Sequence, residues 1–305
     1  MELDIIFTYV DNECKNWLNE RNKFLSKYNK NYENNRHNSN LNEIKYAIRS
    51  IDKYFHNKYR NIYFVTNNGK LPSFIKPNPN FIPIHYKTLL GTTSFNSNTI
   101  ETSLHKIEGL SEYYLYFNDD MILLDYLNMD DLISNDGKLI WYKESNMIIN
   151  FVNNNPIITK LFDLLDSGTN NARHSTYNLL NLKEIPAPIS HSPKIFSKTL
   201  VNDFCRSFNS QIDYQKNNIF RSENDFCFID GFGHYYTNLN KIIFSDLYST
   251  NIMCQFDNIF LSKLYNKIDN SKFLCVEDIR KEYNVDVHIL NILEELFPLK
   301  SKYEF

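Results

Sequence analysis

Apolar residues in this chain gather into short dense runs, each closed by polar residues. LDIIFTYVD (3–11) is the first, a β-rich run ending in an acid. NIYFVTNN (61–68) has the same form, with Gly69 as a turn signal behind it. NFIPIHYKTLL (80–90) is a weaker strand, broken by Pro83, and YYLYFNDD (113–120) is the fourth. KLIWY (138–142) and NMIINF (146–151) read as further strands. Helical spacing lies between these runs. NLNEIKYAIRSIDKYF (40–55) carries Ile44, Ile48, Ile51 and Phe55 on one face, with Asn40 and Glu43 as a cap pair. NTIETSLHKIEGL (98–110) repeats the form, with Asn98 as cap, Glu101 three residues on and Gly109 as a stop. Strands alternating with helices predict a mostly parallel sheet covered on both faces.

The second half is less regular. PIITKLFDLLDSG (156–168) predicts a helix opened by Pro156, and residues 166–193 a long polar connection of the kind that is often functional. KIFSKTLVNDFCRSF (194–208) reads as an amphipathic helix. KIIFSDLY (241–248) and KFLCVED (272–278) read as strands, and VHILNILEELFP (287–298) as a final helix. The Asn-rich stretch NKNYENNRHNSN (29–40) reads as a surface loop.

Composition narrows the function. At 305 residues and 42% hydrophobic, the chain can bury a substantial core. A formal net charge of -3 argues against nucleic acid as a partner, which calls for a basic patch or stripe. Only 7 glycines leave little room for a glycine-rich phosphate loop. No apolar run is long enough to span a bilayer. MELDIIFTYVDNE lacks the basic start of a secretory signal. The 5 cysteines, Cys14, Cys205, Cys227, Cys254 and Cys275, form no CxxC and read as small apolar residues of a reduced, cytoplasmic protein.

Three strand ends carry polar clusters: Asp11 with Asn12, Thr66 with Asn67, and Asn118 with Asp119 and Asp120. In open parallel sheets, ligands bind beyond the carboxyl ends of the strands. Adjacent acids there suit a hard divalent cation that also holds phosphate oxygens. On residue types alone each candidate also has a plainer reading. Asp119–Asp120 can be a turn, Glu101 part of a capping box, and Asp11 a loop acid. His105 and His191 can be ordinary surface or loop histidines, and Arg221 a surface charge.

Taken together, the segments resemble the Stealth family, which includes bacterial capsular-polysaccharide sugar-phosphate transferases and the α/β precursor of the lysosomal-enzyme N-acetylglucosamine-1-phosphotransferase. DIIFTYVDNECKNW (4–17) resembles its first block, with Tyr9 and Asn12 where Trp and Gly are usual. NEIKYAIRSIDKYFHNKYRNIYFVTNNGKLPSF (42–74) and SFNSNTIETSLHKIEGLSEYYLYFNDDMIL (94–123) resemble the second block almost throughout. PAPISHSPKIFSKTL (186–200) with FRSENDF (220–226) resembles the third, and SKFLCVEDI (271–279) with ILEELFPLKSKYE (292–304) the fourth.

The resemblance implies an α/β, glycosyltransferase-A-like (Rossmann-like), mostly parallel sheet flanked by helices, with a more irregular helical C-terminal half. It implies one catalytic domain over residues 1–305, with a nucleotide-sugar half at 1–127 and an acceptor half at 128–305. The implied reaction moves sugar-1-phosphate from a UDP-sugar, UDP-N-acetylglucosamine in particular, to a hydroxyl of a glycan acceptor, with release of UMP. The rivals are transfer of the sugar alone with release of UDP, hydrolysis of the donor, and nucleotide or glycan binding without catalysis. The implied cofactor is Mg²⁺ (or Mn²⁺) on Asp119 and Asp120. His191 is the implied general base, Arg221 the phosphoryl clamp and Glu101 an orienting acid. Asp11, Asn96, Asn98 and Arg49 are the expected donor-side residues, with Arg49 alternatively pairing beneath the site.

Overall fold

A computed structural model describes residues 2–28, 41–143, 169–182, 186, 189–222, 224–245, 249–252, 268, 270–276 and 285–305. The expected strand at 146–151, the expected helix at 156–168 and Cys254 lie outside these residues.

The main sheet has five strands in the order β3-β2-β1-β4-β7. β1 (Leu3–Tyr9), β2 (Ile62–Thr66), β3 (Phe81–His85) and β4 (Tyr113–Asn118) run parallel. β1 lies at the centre, with Ile5 opposite both Ile62 and Leu115. A strand covered on both faces calls for a nearly continuous apolar run, and Leu3, Ile5, Ile6 and Phe7 are all buried, with the buried Asp4 among them paired to Arg60. The rings of Phe64, Phe7 and Phe117 pack across three strands, with centroids 5.7 and 5.1 Å apart. Pro83 does not break β3, because β3 is an edge strand where a missing N–H costs little.

The helix Glu43–Tyr54 buries Ile44, Ala47, Ile48 and Ile51, as the spacing predicts. Its start is different: Asn42 occupies the cap in a left-handed conformation (φ 58°) with no side-chain cap bond, and Asn40 is outside the described residues. Arg49 faces the C-terminal segment. Its Nε and Nη2 donate to the two carboxylate oxygens of Glu304 at 2.7 and 2.8 Å, and Nη1 donates to the Phe297 carbonyl at 2.7 Å.

Three expected elements differ. The helix expected over 98–110 is a short helix, Ser97–Glu101, followed by a 3-10 turn at Leu104–Lys106. Thr102 and Ser103 hydroxyls donate to the Thr99 and Ile100 carbonyls, each at 2.7 Å, where hydroxyl side chains compete with helix continuation. The helix expected over 194–208 begins as β7 (Lys194–Ser197), antiparallel to β4, and becomes helical only at Lys198–Ser207. Ile195 and Phe196 are buried as strand residues, and the Ser197 hydroxyl accepts from the Leu200 amide to start the helix. The long connection over 166–193 contains the helix Thr169–Leu179.

β5 (Met121–Leu123) follows the paired acids directly and leaves the main sheet. It pairs antiparallel with β10 (Phe273–Val276), which in turn pairs with β9 (Ser249–Ile252). β6 (Leu139–Tyr142) and β8 (Ile242–Ser245) form a third small sheet. The Asp119–Asp120 turn therefore joins two sheets, with the Val276 amide donating to the Asp120 carbonyl at 3.1 Å.

Candidate active site

The site is built around the carboxyl end of β4. Asn118 ends the strand and is held by its neighbours. The Tyr116 and Thr8 hydroxyls donate to its Oδ1 at 2.5 and 3.2 Å. Its amide nitrogen lies 3.0 Å from Nε2 of His191. The other ring nitrogen, Nδ1, lies 2.7 Å from the Cys275 Sγ and 3.9 Å from Oδ2 of Asp120. Residues 118–120, 191 and 275 come together because the turn after β4 hands the chain to β5, whose partner β10 carries Cys275 opposite Met121.

The expected acids divide. Asp120 joins His191 and Cys275, with ligand atoms all within 4.8 Å of one another. Asp119 is absent from that group. Burial pushes its carboxyl up to about 6, partly offset by hydrogen bonds from its own amide and that of Val10. Glu43 lies within its electrostatic reach. Burial raises Glu43 to about 7, and the charge of Asp119 adds to the rise. A carboxyl keeps its proton when burial costs more than its partners return. A divalent cation would relieve that excess of acid, and Asp120 offers it a carboxylate oxygen, with the His191 ring and the Cys275 sulfur close by. Carboxylate oxygens alone suit Mg²⁺ or Mn²⁺, whereas a set that included the imidazole and the sulfur would favour a softer ion such as Zn²⁺.

Glu101 is buried, and it accepts from the Tyr116 hydroxyl at 3.2 Å. Burial pushes it up to about 7, opposed by the charges of Arg221 and Lys194 and by the Tyr116 bond. Arg221 donates to the Ser97 hydroxyl at 2.6 Å, on the same short helix as Glu101. Glu101, Arg221, His191 and Asp120 thus belong to one connected neighbourhood, drawn from four separate stretches of chain.

The donor-side residues are placed unevenly. Asp11 is half-buried after β1. Its carboxylate accepts from the Asn68 amide at 2.7 Å and from the Glu13 backbone at 2.9 Å. Asn67 clasps its backbone from both sides, at 2.9 and 3.0 Å. Asn98 is half-buried, with its carbonyl oxygen 3.9 Å from Cys227 Sγ. Asn96 is fully buried; its Nδ2 donates to Asp225 at 2.6 Å and its Oδ1 caps the Asn98 amide at 3.1 Å. Arg49 is committed to Glu304 and the Phe297 carbonyl. His105 is buried in the 3-10 turn, where burial together with Lys106 and Lys198 lowers its pKa to about 4.

Sequence reading gave no role to Cys275, Lys194, Asp230 or Glu43 in chemistry. Cys275 lies in an apolar strand and Lys194 opens an amphipathic pattern, so neither carries a local signal. Asp230, on the helix Phe228–Asn238, accepts from the Tyr177 hydroxyl at 3.1 Å and pairs with Arg173 at 3.4 Å. It also acts electrostatically on Glu101 and Lys194.

The mostly parallel sheet with a polar site at its strand ends is an α/β, glycosyltransferase-A-like fold. Among solved structures, the bifunctional glycosyltransferase WbbM superimposes with a TM-score of 0.55 at 10% identity, over 98% of this chain and 50% of that one, a likeness of fold. Residues 36–141 match the Stealth protein conserved region 2. It is 26% identical to the capsular polysaccharide phosphotransferase SacB of Neisseria meningitidis serogroup A, over 99% of this chain and 57% of that protein. It is 23% identical to the exopolysaccharide phosphotransferase CpsY of Mycobacterium tuberculosis (strain CDC 1551 / Oshkosh), over 99% of this chain and 58% of that protein. The chain therefore spans less than two thirds of the length of these relatives. Among the described residues no helix is long and apolar enough to cross a membrane.

Proposed function

We propose that this chain transfers sugar-1-phosphate from a UDP-sugar, UDP-N-acetylglucosamine in particular, to a hydroxyl of a glycan acceptor, forming a phosphodiester and releasing UMP. The observation that carries the reading is the meeting of Asp120 and His191, 3.9 Å apart, at the carboxyl end of β4. A cation-binding acid and a base side by side are what an in-line attack on phosphorus needs. The named phosphotransferase relatives make phosphoryl transfer the preferred reading over transfer of the sugar alone.

In this reading Asp120, with Asp119 behind it, holds a divalent cation, which when bound supplies positive charge to the diphosphate. His191 takes the proton of the acceptor hydroxyl; neutral imidazole near pH 7 suits that role. Arg221 holds equatorial phosphoryl oxygens through its planar guanidinium, and Ser97 orients it. Glu101 orients the acceptor side through Tyr116 and Asn118. Asp11 and Asn98 contact the donor. Asn96 and Arg49 act as supports, since their hydrogen-bonding atoms are engaged within the protein. Positioning and charge neutralisation, rather than a covalent intermediate, lower the barrier.

A donor panel with Mn²⁺ or Mg²⁺ and glycan acceptors tests the reading. UMP together with an acid-labile glycosyl phosphodiester product is expected. Release of UDP would establish sugar transfer, and free sugar-1-phosphate without acceptor would establish hydrolysis.

A further inference from the structure

Lys194 opens β7, and its side chain is 4% exposed. Its Nζ donates to the carbonyls of Ser190 and Ser192, each at 2.8 Å. These are the two carbonyls that flank His191 in the chain. A buried ammonium is costly unless acceptors take its protons, so this double bond is a strong constraint on the segment. The lysine is itself anchored, since β7 pairs with β4 and places Lys194 opposite Tyr116. The Ser190 amide donates to the Tyr142 carbonyl at 2.9 Å, which ties the same segment to β6.

The charges around Lys194 come from several elements. Glu101 on the helix Ser97–Glu101, Asp230 on the helix Phe228–Asn238 and Cys275 on β10 favour the ammonium, while Arg173 on the helix Thr169–Leu179 opposes it. Glu101 also accepts from Tyr116, and Tyr116 donates to Asn118, which touches Nε2 of His191. The imidazole is thus held through its flanking backbone by Lys194 and through its two ring nitrogens by Asn118 and Cys275.

We propose that Lys194 is a positioning residue that fixes the backbone on both sides of His191 and so sets the direction of its imidazole toward Asp120. The inference rests on the role given to His191 above. Lys194 touches no reacting atom in this account. It acts through the Ser190 and Ser192 carbonyls.

The test compares the full chain with Lys194→Met, Lys194→Gln and Lys194→Arg. Two readouts are used after thermal melting has established folding. The first is the ring nitrogen and proton NMR signals of His191, assigned by their loss in His191→Ala. The second is kcat and KM for UDP-N-acetylglucosamine with a glycan acceptor. Lys194→Met should shift or broaden the His191 ring signals and lower kcat about tenfold or more, with donor KM changed by less than about twofold. Lys194→Arg, which keeps a cation with several donors, should retain more of kcat than Lys194→Met. Should the Met variant not fold, the Gln and Arg variants carry both readouts. Wild-type His191 signals in a folded Met or Gln variant would overturn the proposal, as would a loss confined to KM. The NMR readout separates the two claims: shifted signals in a chain with no transfer activity would sink the reaction and leave the positioning role standing.

Discussion

Arg49 and Glu101 each sit in a buried charge cluster, and the two clusters are built to different ends. Around Arg49 the charges are matched. Burial acts to raise the Glu304 carboxyl, but the bidentate Arg49 guanidinium and the Ser301 amide more than offset it, and its pKa falls below the ordinary value. Around Glu101 the charges remain in conflict. Burial dominates, lifting Glu101 to about 7 and lowering Lys194 to about 8 despite their mutual attraction. The first cluster fastens the C-terminal segment to the helix Glu43–Tyr54. The second keeps groups near neutral pH beside His191, Arg221 and Asp120, where proton and phosphoryl chemistry would occur.

Mutations should separate the two clusters, beginning with the largest effect. Asp120→Ala should lower transfer by about a thousandfold or more, with thermal stability near wild type, because it removes the acid that would hold the cation. Near-normal turnover by the folded variant would remove Asp120 from the site. His191→Ala should lower kcat by about 10²–10⁴ while donor affinity, measured by calorimetry, stays within a few-fold. Collapse of donor affinity with intact chemistry would make His191 a binding residue. Arg49→Ala should show the reverse pattern. Leaving Glu304 buried and unpaired should cost about 3–5 kcal/mol in denaturant unfolding, while the folded fraction keeps its activity. A loss of kcat without a loss of stability would place Arg49 in the site after all.

The smallest effect is a pH effect. The folded state holds a proton on Glu101 above the pH at which the unfolded chain releases it. Its contribution to stability is therefore fully present below the ordinary carboxylate range and is lost as pH rises through about 7. Glu101→Gln should flatten this part of the profile, raising Tm relative to wild type at pH 8 more than at pH 5. An equal change in Tm at both pH values would show that Glu101 does not titrate in this window.

The same comparison explains what could be read from the sequence. β1, β2 and β4 are dense apolar runs because both faces of the sheet are covered, so their pattern is visible without neighbours. Asp119 and Asp120 stand out because they interrupt such a run. The third block behaves differently. Lys194–Ser197 reads as the start of an amphipathic helix, and only pairing with β4 makes it a strand. Cys275 has the appearance of a core residue until β10 pairs with β5 and brings its sulfur to His191. The break after Glu101 depends on two hydroxyls bonding back to carbonyls, a local competition that apolar spacing does not report. The resemblance supplied His191, Arg221 and Glu101 together; their spacing in the chain did not.

The central claim concerns which bond of the donor breaks. A UDP-N-acetylglucosamine molecule radiolabelled at its β-phosphorus decides it directly, with the wild-type chain, a divalent cation and a glycan acceptor. The account predicts that the label appears in the glycan while unlabelled UMP is released. Label retained in UDP, with unlabelled sugar in the glycan, would contradict it.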